Sequence, residues 1–321
     1  MRVSAVAAVE IAFRIPSLGP PIQQAGLATL LGKWTDCSRP ERRAQKPVQD
    51  LGMSVTSPRP WAEFPATAAS DVLGVLTDID DTLTTDGRIT PDALAALAQL
   101  KAAGLHVIAI TGRPMGWSEP FARDWPIDAI VAENGAVALF RDRGALTIEY
   151  AQDDATRTRN AARLRQAAAR VLREVPGTSL AQDSAGRVTD IAIDHSEFAE
   201  LSPAQIDAAV AVMTHEGMNA TVSSIHINGW FGDHTKLSGA RWIVQRLFGR
   251  ALDARHWVYV GDSTNDQLMF GHFPLSVGVA NLMAFADVLT VWPNYITQAA
   301  RGAGFAEVAQ HLLRAREQRR H

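Results

Sequence analysis

The chain has 321 residues, 47% of them apolar and 20% charged, with a formal net charge of −3 and a single cysteine, Cys37. That length predicts about two domains, the apolar share excludes a disordered chain, and the charge balance argues against a nucleic-acid partner. One cysteine excludes an intramolecular disulfide and a thiolate metal cluster, and no run reaches the roughly 18 apolar residues of a membrane span, so a soluble, cytoplasmic protein is expected.

Residues 1–70 stand apart. They hold proline-rich pieces such as Ser57-Pro58-Arg59-Pro60 and only two short apolar runs, Val3 to Val9 and Ala25 to Leu31. Glu10 interrupts the first run and no small-residue cleavage pattern follows, which argues against a secretory signal. The expectation is a poorly ordered extension, with residues 1–52 dispensable and Met53 an alternative start.

From Asp71 onward short apolar runs alternate with helical periods. Val72 to Thr77 reads as a buried strand. Pro91 to Ala103 reads as a helix with Leu94, Leu97 and Leu100 on one face, Thr90 as N-cap and proline at its first position. His106 to Thr111 and Ala129 to Ala132 are the next strands, and this alternation predicts a parallel sheet covered on both faces. Residues 144–232 read differently: a strand at Ala145 to Tyr150, a long helix from Asp154 to Glu174, and a strand near Val188 to Ile193. A helix from Pro203 to Glu216 and strands within Thr221 to Asn228 follow. This predicts an α+β insert built on an antiparallel sheet, between a first core part (71–143) and a second (233–321). The second core part predicts a helix at Leu237 to Leu247, strands at His256 to Val260 and Leu275 to Val279, and a final helix at Glu307 to Arg314.

The sharpest local feature is Asp78-Ile79-Asp80-Asp81-Thr82-Leu83, where the first strand ends. Side chains alternate along an extended chain, so Asp78 and Asp80 point the same way. The carboxyl ends of parallel strands are where open α/β sheets bind ligands. Two carboxylates so placed call for a cation or a shared proton between them. The bland alternative is an Asp-rich turn.

A second acidic segment, Gly261-Asp262-Ser263-Thr264-Asn265-Asp266, also ends an apolar strand. Oxygen ligands of this kind suit a hard cation such as Mg²⁺. Between the two segments lies Ile110-Thr111-Gly112-Arg113-Pro114, whose hydroxyl and backbone N–H groups suit an anion. Lys236, one of four lysines in the chain, opens a helix just after the insert. A compact ammonium suits a single phosphoryl oxygen.

Together Asp78-x-Asp80-x-Thr82, Thr111, Lys236 and Gly261-Asp262-x-x-Asn265-Asp266 resemble the four motifs of the haloacid dehalogenase superfamily of phosphohydrolases. The insert resembles the large α+β cap of its sugar-phosphatase branch, as do Asn134-Gly135 and Gly278-Val279-Ala280-Asn281. The resemblance spans about Asp71 to Leu313. One departure is Asp81, where most members carry glycine.

The resemblance implies a Rossmann-like α/β core with an inserted cap. It implies Asp78 as the nucleophile forming an aspartyl-phosphate, and Asp80 as general acid and then base. It implies Mg²⁺ held by Asp78, the Asp80 carbonyl, Asp262 and Asp266, with Asn265 in support, and the phosphate held by Thr111, Gly112 and Lys236. Ser224, His226 and Asn228 alternate on one face of a cap strand, which makes them, with Arg113, Trp117 and Glu133, candidates for substrate recognition. The expected partner is a small phosphorylated metabolite, most simply a sugar phosphate. A hexose phosphomutase and a non-catalytic phosphate-binding module are the alternatives; a Gly-Gly-Ser segment expected of the mutases is replaced here by Ile110-Thr111-Gly112-Arg113.

Overall fold

The computed structural model describes residues 57–318. In chain order the main elements are β1 (Arg59–Pro60), α1 (Ala66–Ala69), β2 (Gly74–Thr77), β3 (Thr84–Thr85), β4 (Arg88–Ile89), α2 (Pro91–Ala102), β5 (His106–Ile110), α3 (Met115–Asp124) and β6 (Ala129–Ala132). Next come β7 (Val137–Asp142), β8 (Ala145–Tyr150), α4 (Asp154–Glu174), β9 (Ser179–Leu180), β10 (Asp190–Asp194), α5 (Pro203–His215), β11 (Asn219–Val222) and β12 (His226–Trp230). The chain closes with α6 (Lys236–Phe248), β13 (Trp257–Gly261), α7 (Gln267–His272), β14 (Leu275–Gly278), β15 (Tyr295–Ile296) and α8 (Arg301–Gln318).

The main sheet runs β1-β15-β14-β13-β2-β5-β6-β7-β8. Its strands are parallel from β1 to β6, as the buried apolar runs predict, while β7 and β8 are antiparallel. Two apolar layers sandwich it. One face packs against α2, α3 and α8 through residues such as Leu97, Leu100, Val107, Ile130 and Phe305. The other packs against α6 and α7 through Leu76, Ile108, Ile243, Tyr259 and Phe270. The chain leaves β2 toward β5 and later returns to β13 on the opposite side. The carboxyl ends of β2 and β13 therefore border the point where strand order reverses, the usual ligand crevice of such sheets.

The insert carries a second, antiparallel sheet in the order β11-β12-β10-β9, as expected. Helices α4 and α5 cover one face of it with Leu164, Val171, Ala209 and Met213 packed on Ile193 and Ile227. Capping is well provided: Asp153 accepts from the Thr156 N–H, and Ser202 with Gln205 forms a reciprocal box before α5.

Several expectations need correction. The strand Ala145–Tyr150, assigned above to the insert, is β8 and lies at the edge of the main sheet, paired along its length with β7. Arg143 and Gly144 both have positive φ, 50° and 85°, so a tight hairpin turn joins the two strands there instead of the expected core–insert boundary. Residues 57–70 are not a loose extension. Trp61 stacks on Phe64 at 4.5 Å, both are buried, and β1 pairs with β15. Residues 1–56 of that expected extension, and with them Met53, lie outside the described residues. In α2, Leu97 and Leu100 are buried with Ala93 and Ala96, but Leu94 is 38% exposed. A strict spacing of three drifts off a 3.6-residue period, and the short alanines take the inner positions. Thr90 precedes α2 as placed, yet its hydroxyl makes no capping bond. Among the described residues, no helix is long and apolar enough to cross a membrane.

Candidate active site

Four segments bring side chains to the carboxyl ends of β2, β5 and β13. Asp78 leaves β2 with its N–H donated to the Val260 carbonyl at 2.9 Å, so its backbone is tied to β13. Asp262 leaves β13 itself. Asp78, Asp262 and Asp266 are all buried, and one carboxylate oxygen from each lies within 4.8 Å of the others. Asp78 lies 184 positions before Asp262, and the pairing of β2 with β13 brings the two together. Lys236, first residue of α6, places Nζ 2.9 Å from Asp78 Oδ1 and 2.7 Å from Asp266 Oδ1.

The approach of α6 depends on two glycines. A Cβ on Gly239 would lie 2.7 Å from the Gly135 Cα, and one on Gly135 would lie 2.1 Å from the Thr235 carbonyl oxygen. Gly135 also has φ of 109°, a region that only glycine enters freely. Thr235 and Ser238 form a reciprocal cap that fixes the first turn of the helix, and with it Lys236.

The electrostatics of this cluster are unbalanced. Burial pushes the Asp78 carboxyl up to about 7; Lys236 opposes this, while Asp266 and Asp80 add to it. Burial also holds Asp262 well above the usual carboxylate range, reinforced by Asp78 and Asp266. Burial would lower the Lys236 ammonium, but Asp266 and Asp78 outweigh it and the group is raised. One ammonium is thus shared by three buried carboxylates, and the surplus negative charge fits a small divalent cation with oxygen ligands. Asp266 is the most saturated of the three. Its Oδ1 accepts from Lys236 and the Tyr259 hydroxyl, and its Oδ2 accepts from the Asp262 and Ser263 N–H groups at 2.9 and 3.2 Å. Asp262 keeps more open capacity, with Oδ2 accepting from Asn281 at 3.2 Å and Oδ1 facing the Thr82 hydroxyl at 3.4 Å.

Asp80 points elsewhere. Its carboxylate faces Arg113, whose Nε lies 3.0 Å from each oxygen, so only the Asp80 backbone carbonyl remains for the acidic cluster. Asp81, next in line, has φ of 53°, which accounts for the glycine usual there; Arg301 Nε meets its carboxylate at 3.2 Å. Thr111 is buried, and its Oγ1 accepts the Arg113 N–H at 2.9 Å, which leaves the hydroxyl proton free to donate. Gly112 lies beside it with its carbonyl taken by Arg187 at 2.9 Å and by Asn228 at 3.3 Å.

The remaining candidates are distributed less simply. Asn265 is half-buried and accepts from the Ser263 hydroxyl at 2.9 Å; no bond joins it to the carboxylate cluster. His226 is buried with Nε2 2.9 Å from Glu197 Oε2. Asn228 is buried and donates to Asp190 Oδ2 at 3.1 Å. Ser224 lies in the turn before β12, off the strand face it was assigned to. Trp117 holds its ring 5.0 Å from the Arg113 guanidinium. Glu133 accepts from the N–H groups of Met115, Val188 and Thr189, so it fastens the insert to the core. Sequence reasoning missed Tyr259, Asp183 and Glu197, and gave Asn281 no role. The Asn281 segment had been noted; the others carry no local signature.

A cavity of about 490 Å³ opens beside Asp80 and Arg113. The β3–β4 hairpin and Arg301 form its core wall, and Glu197, Phe198 and Ile225 of the insert form the other. Phe198 is 66% exposed at its edge. The insert therefore roofs a chamber lined by both signs of charge, Asp80, Asp81, Asp86 and Glu197 against Arg88, Arg113 and Arg301.

Residues 75–167 match the model of a family described as haloacid dehalogenase-like hydrolase. That match spans less than a third of the chain and covers the segments that carry Asp78, Asp80 and Thr111. Solved structures share its fold at low identity. The sucrose-phosphatase of Synechocystis is 16% identical, with a TM-score of 0.55 over 75% of this chain and 97% of that one. The trehalose-6-phosphate phosphatase C-terminal domain of C. albicans is 13% identical, with a TM-score of 0.56 over 80% and 98%. A subclass IIB sugar phosphatase of the same superfamily is 18% identical, with a TM-score of 0.51 over 74% and 98%. No curated protein matches the chain.

Proposed function

We propose that this protein is a Mg²⁺-dependent phosphatase that cleaves a small phosphate monoester, a sugar phosphate in the simplest case, through an aspartyl-phosphate on Asp78. The observation that carries the reading is the buried cluster of Asp78, Asp262 and Asp266 around the single ammonium of Lys236. The names of the structural relatives, phosphatases of sucrose and trehalose phosphates, support the substrate class.

Lys236 binds Asp78 Oδ1. The other oxygen, Oδ2, has no protein hydrogen bond among the described residues and is the atom to attack phosphorus. A bond forms between Asp78 and phosphorus while the ester P–O bond breaks, and Asp80 gives its proton to the departing oxygen. Asp80, now ionised, takes a proton from the water that hydrolyses the acyl phosphate, which regenerates both carboxyl groups. Lys236 and the Thr111 hydroxyl, with the Gly112 N–H, hold the phosphoryl oxygens. Asp78, Asp262 and the Asp80 carbonyl would hold Mg²⁺, and Asp266 orients them through the Asp262 N–H and Lys236. When bound, that ion would offset repulsion between the Asp78 carboxylate and the phosphate and supply positive charge to the transferring group. The roof formed by the insert keeps bulk water from the acyl phosphate.

Phosphate release from p-nitrophenyl phosphate and a panel of sugar phosphates tests this reading, with Mg²⁺ and with EDTA. Release that needs the ion and vanishes in Asp78→Ala is expected. Metal-independent release would refute the reading. Interconversion of 1- and 6-phosphohexoses without release would make the protein a mutase.

A further inference from the structure

Arg113 was a candidate for reading the substrate, but its guanidinium has nothing left to offer one. Nε and Nη2 meet Asp80 at 3.0 and 2.9 Å, Nη2 meets Glu197 Oε1 at 2.7 Å, and Nη1 meets Glu197 Oε2 at 3.3 Å and Asp183 Oδ2 at 3.1 Å. Burial would lower its proton affinity, yet these carboxylates outweigh burial and raise it, so the group stays charged. Asp80 belongs to the core, whereas Asp183 and Glu197 belong to the insert. Glu197 is itself braced, by His226 Nε2 at 2.9 Å and by its own N–H, which donates to Asp194 Oδ1 at 2.9 Å. A guanidinium is a rigid plane with its five N–H bonds in fixed directions. The orientation that Glu197 imposes on one edge is therefore passed to the edge that meets Asp80.

We propose that Glu197 is a positioning residue: acting through Arg113, it aligns the Asp80 carboxyl with the leaving oxygen, so that the acid is in place only while the insert is seated on the core. This rests on the phosphatase reading above and adds to it the control of one step. In that step the ester P–O bond breaks, its electron pair stays on the leaving oxygen, and the proton passes from Asp80 to that oxygen. Neither Arg113 nor Glu197 gains or loses a proton. An alkoxide needs that proton as it leaves, whereas p-nitrophenolate departs without it. Misplacement of a catalytic group by about 1 Å costs on the order of 10²-fold, which sets the effect to look for.

The test compares kcat for benzyl phosphate and p-nitrophenyl phosphate, two aromatic esters with no sugar hydroxyls, in the full chain. Glu197→Ala and Arg113→Ala are each expected to lower the benzyl rate at least about 10-fold more than the p-nitrophenyl rate. The double variant is expected to lose no more than the worse single variant, because both changes sever one tether. Glu197→Gln keeps an accepting oxygen toward Arg113 and should recover most of the ratio; it also serves the comparison if Glu197→Ala does not fold. Equal losses on the two esters would overturn the proposal, as would losses that multiply in the double variant, for then Glu197 only holds the insert in place. A wild-type chain that cleaves neither ester would remove the phosphatase reading, and this proposal with it.

Discussion

Glu133 offers a test that depends on the structure alone. Its carboxylate is fully buried at the end of β6 and receives backbone N–H groups from Met115 at 3.0 Å, Val188 at 3.1 Å and Thr189 at 2.6 Å, together with the Thr189 hydroxyl. Met115 belongs to the core and the other two residues to the insert. Glu133→Gln keeps the volume but replaces one accepting oxygen with an NH₂ that must face donors. A hydrogen bond to a charged group contributes about 1.5–3 kcal/mol, and the two or so bonds lost or inverted here give an expected cost of about 2–4 kcal/mol after relaxation. For a folded unit of this size that lowers Tm by roughly 4–16 °C. Glu133→Ala should cost more, because it orphans every donor and leaves a cavity. Urea unfolding at pH 7 measures the loss, and hydrogen exchange at the Val188 and Thr189 amides locates it. A loss below about 0.5 kcal/mol with unchanged exchange would show that the carboxylate does not fasten the insert.

Other expectations follow from the site and its surroundings. Asp80→Asn should leave metal-induced stabilisation intact while slowing turnover of alkyl phosphates about 10²-fold or more; undiminished turnover excludes Asp80 as the acid. Lys236→Met leaves three buried carboxylates without their ammonium and should cost about 3–5 kcal/mol in EDTA, read by urea unfolding; no loss would mean the ammonium is not their countercharge. Removing Mg²⁺ from the wild type should lower Tm, since the ion binds the folded chain alone; a Tm insensitive to EDTA and to added Mg²⁺ would count against the site. His234 is buried, neither ring nitrogen has a hydrogen-bond partner among the described residues, and burial lowers it from 6.5 to about 4 despite Asp233. The unfolded chain therefore binds that proton more readily, and stability should fall by up to roughly 3 kcal/mol as pH drops from 6.5 toward 4. His234→Phe should flatten that slope, and an unchanged slope assigns the acid sensitivity to other groups.

The core sheet and the acidic motifs were legible because their signals are local. Buried parallel strands are short apolar runs, and Asp78, Thr111 and Asp262 sit directly after three of them. The β7–β8 hairpin does carry a signal: Arg143-Gly144 between two alternating runs is hairpin chemistry, although a glycine after a charged pair also fits a domain junction. Trp61 and Phe64 were lost in a proline-rich stretch whose composition resembles a linker, since what orders them is Tyr295 and His311, more than 230 residues away. The tether from Asp80 to Glu197 could not be read at all. Arg113 and Glu197 lie 84 positions apart, and no period or spacing links them. His226 and Asn228 were found by alternation, but their partners, Glu197 and Asp190, turn them inward and away from the cavity.

The order of strands also governs how the molecule is made. Strand β2 lies mid-sheet and needs β13, whose pairing with it joins Gly74 to Trp257, and β1 needs β15, with Arg59 Nη2 2.7 Å from the Tyr295 hydroxyl 236 residues later. Emerging from the ribosome, β2 keeps one edge unpaired until Trp257–Gly261 has been synthesised. The loop entropy of that late closure slows folding, and the waiting edge is exposed to wrong pairing in the meantime.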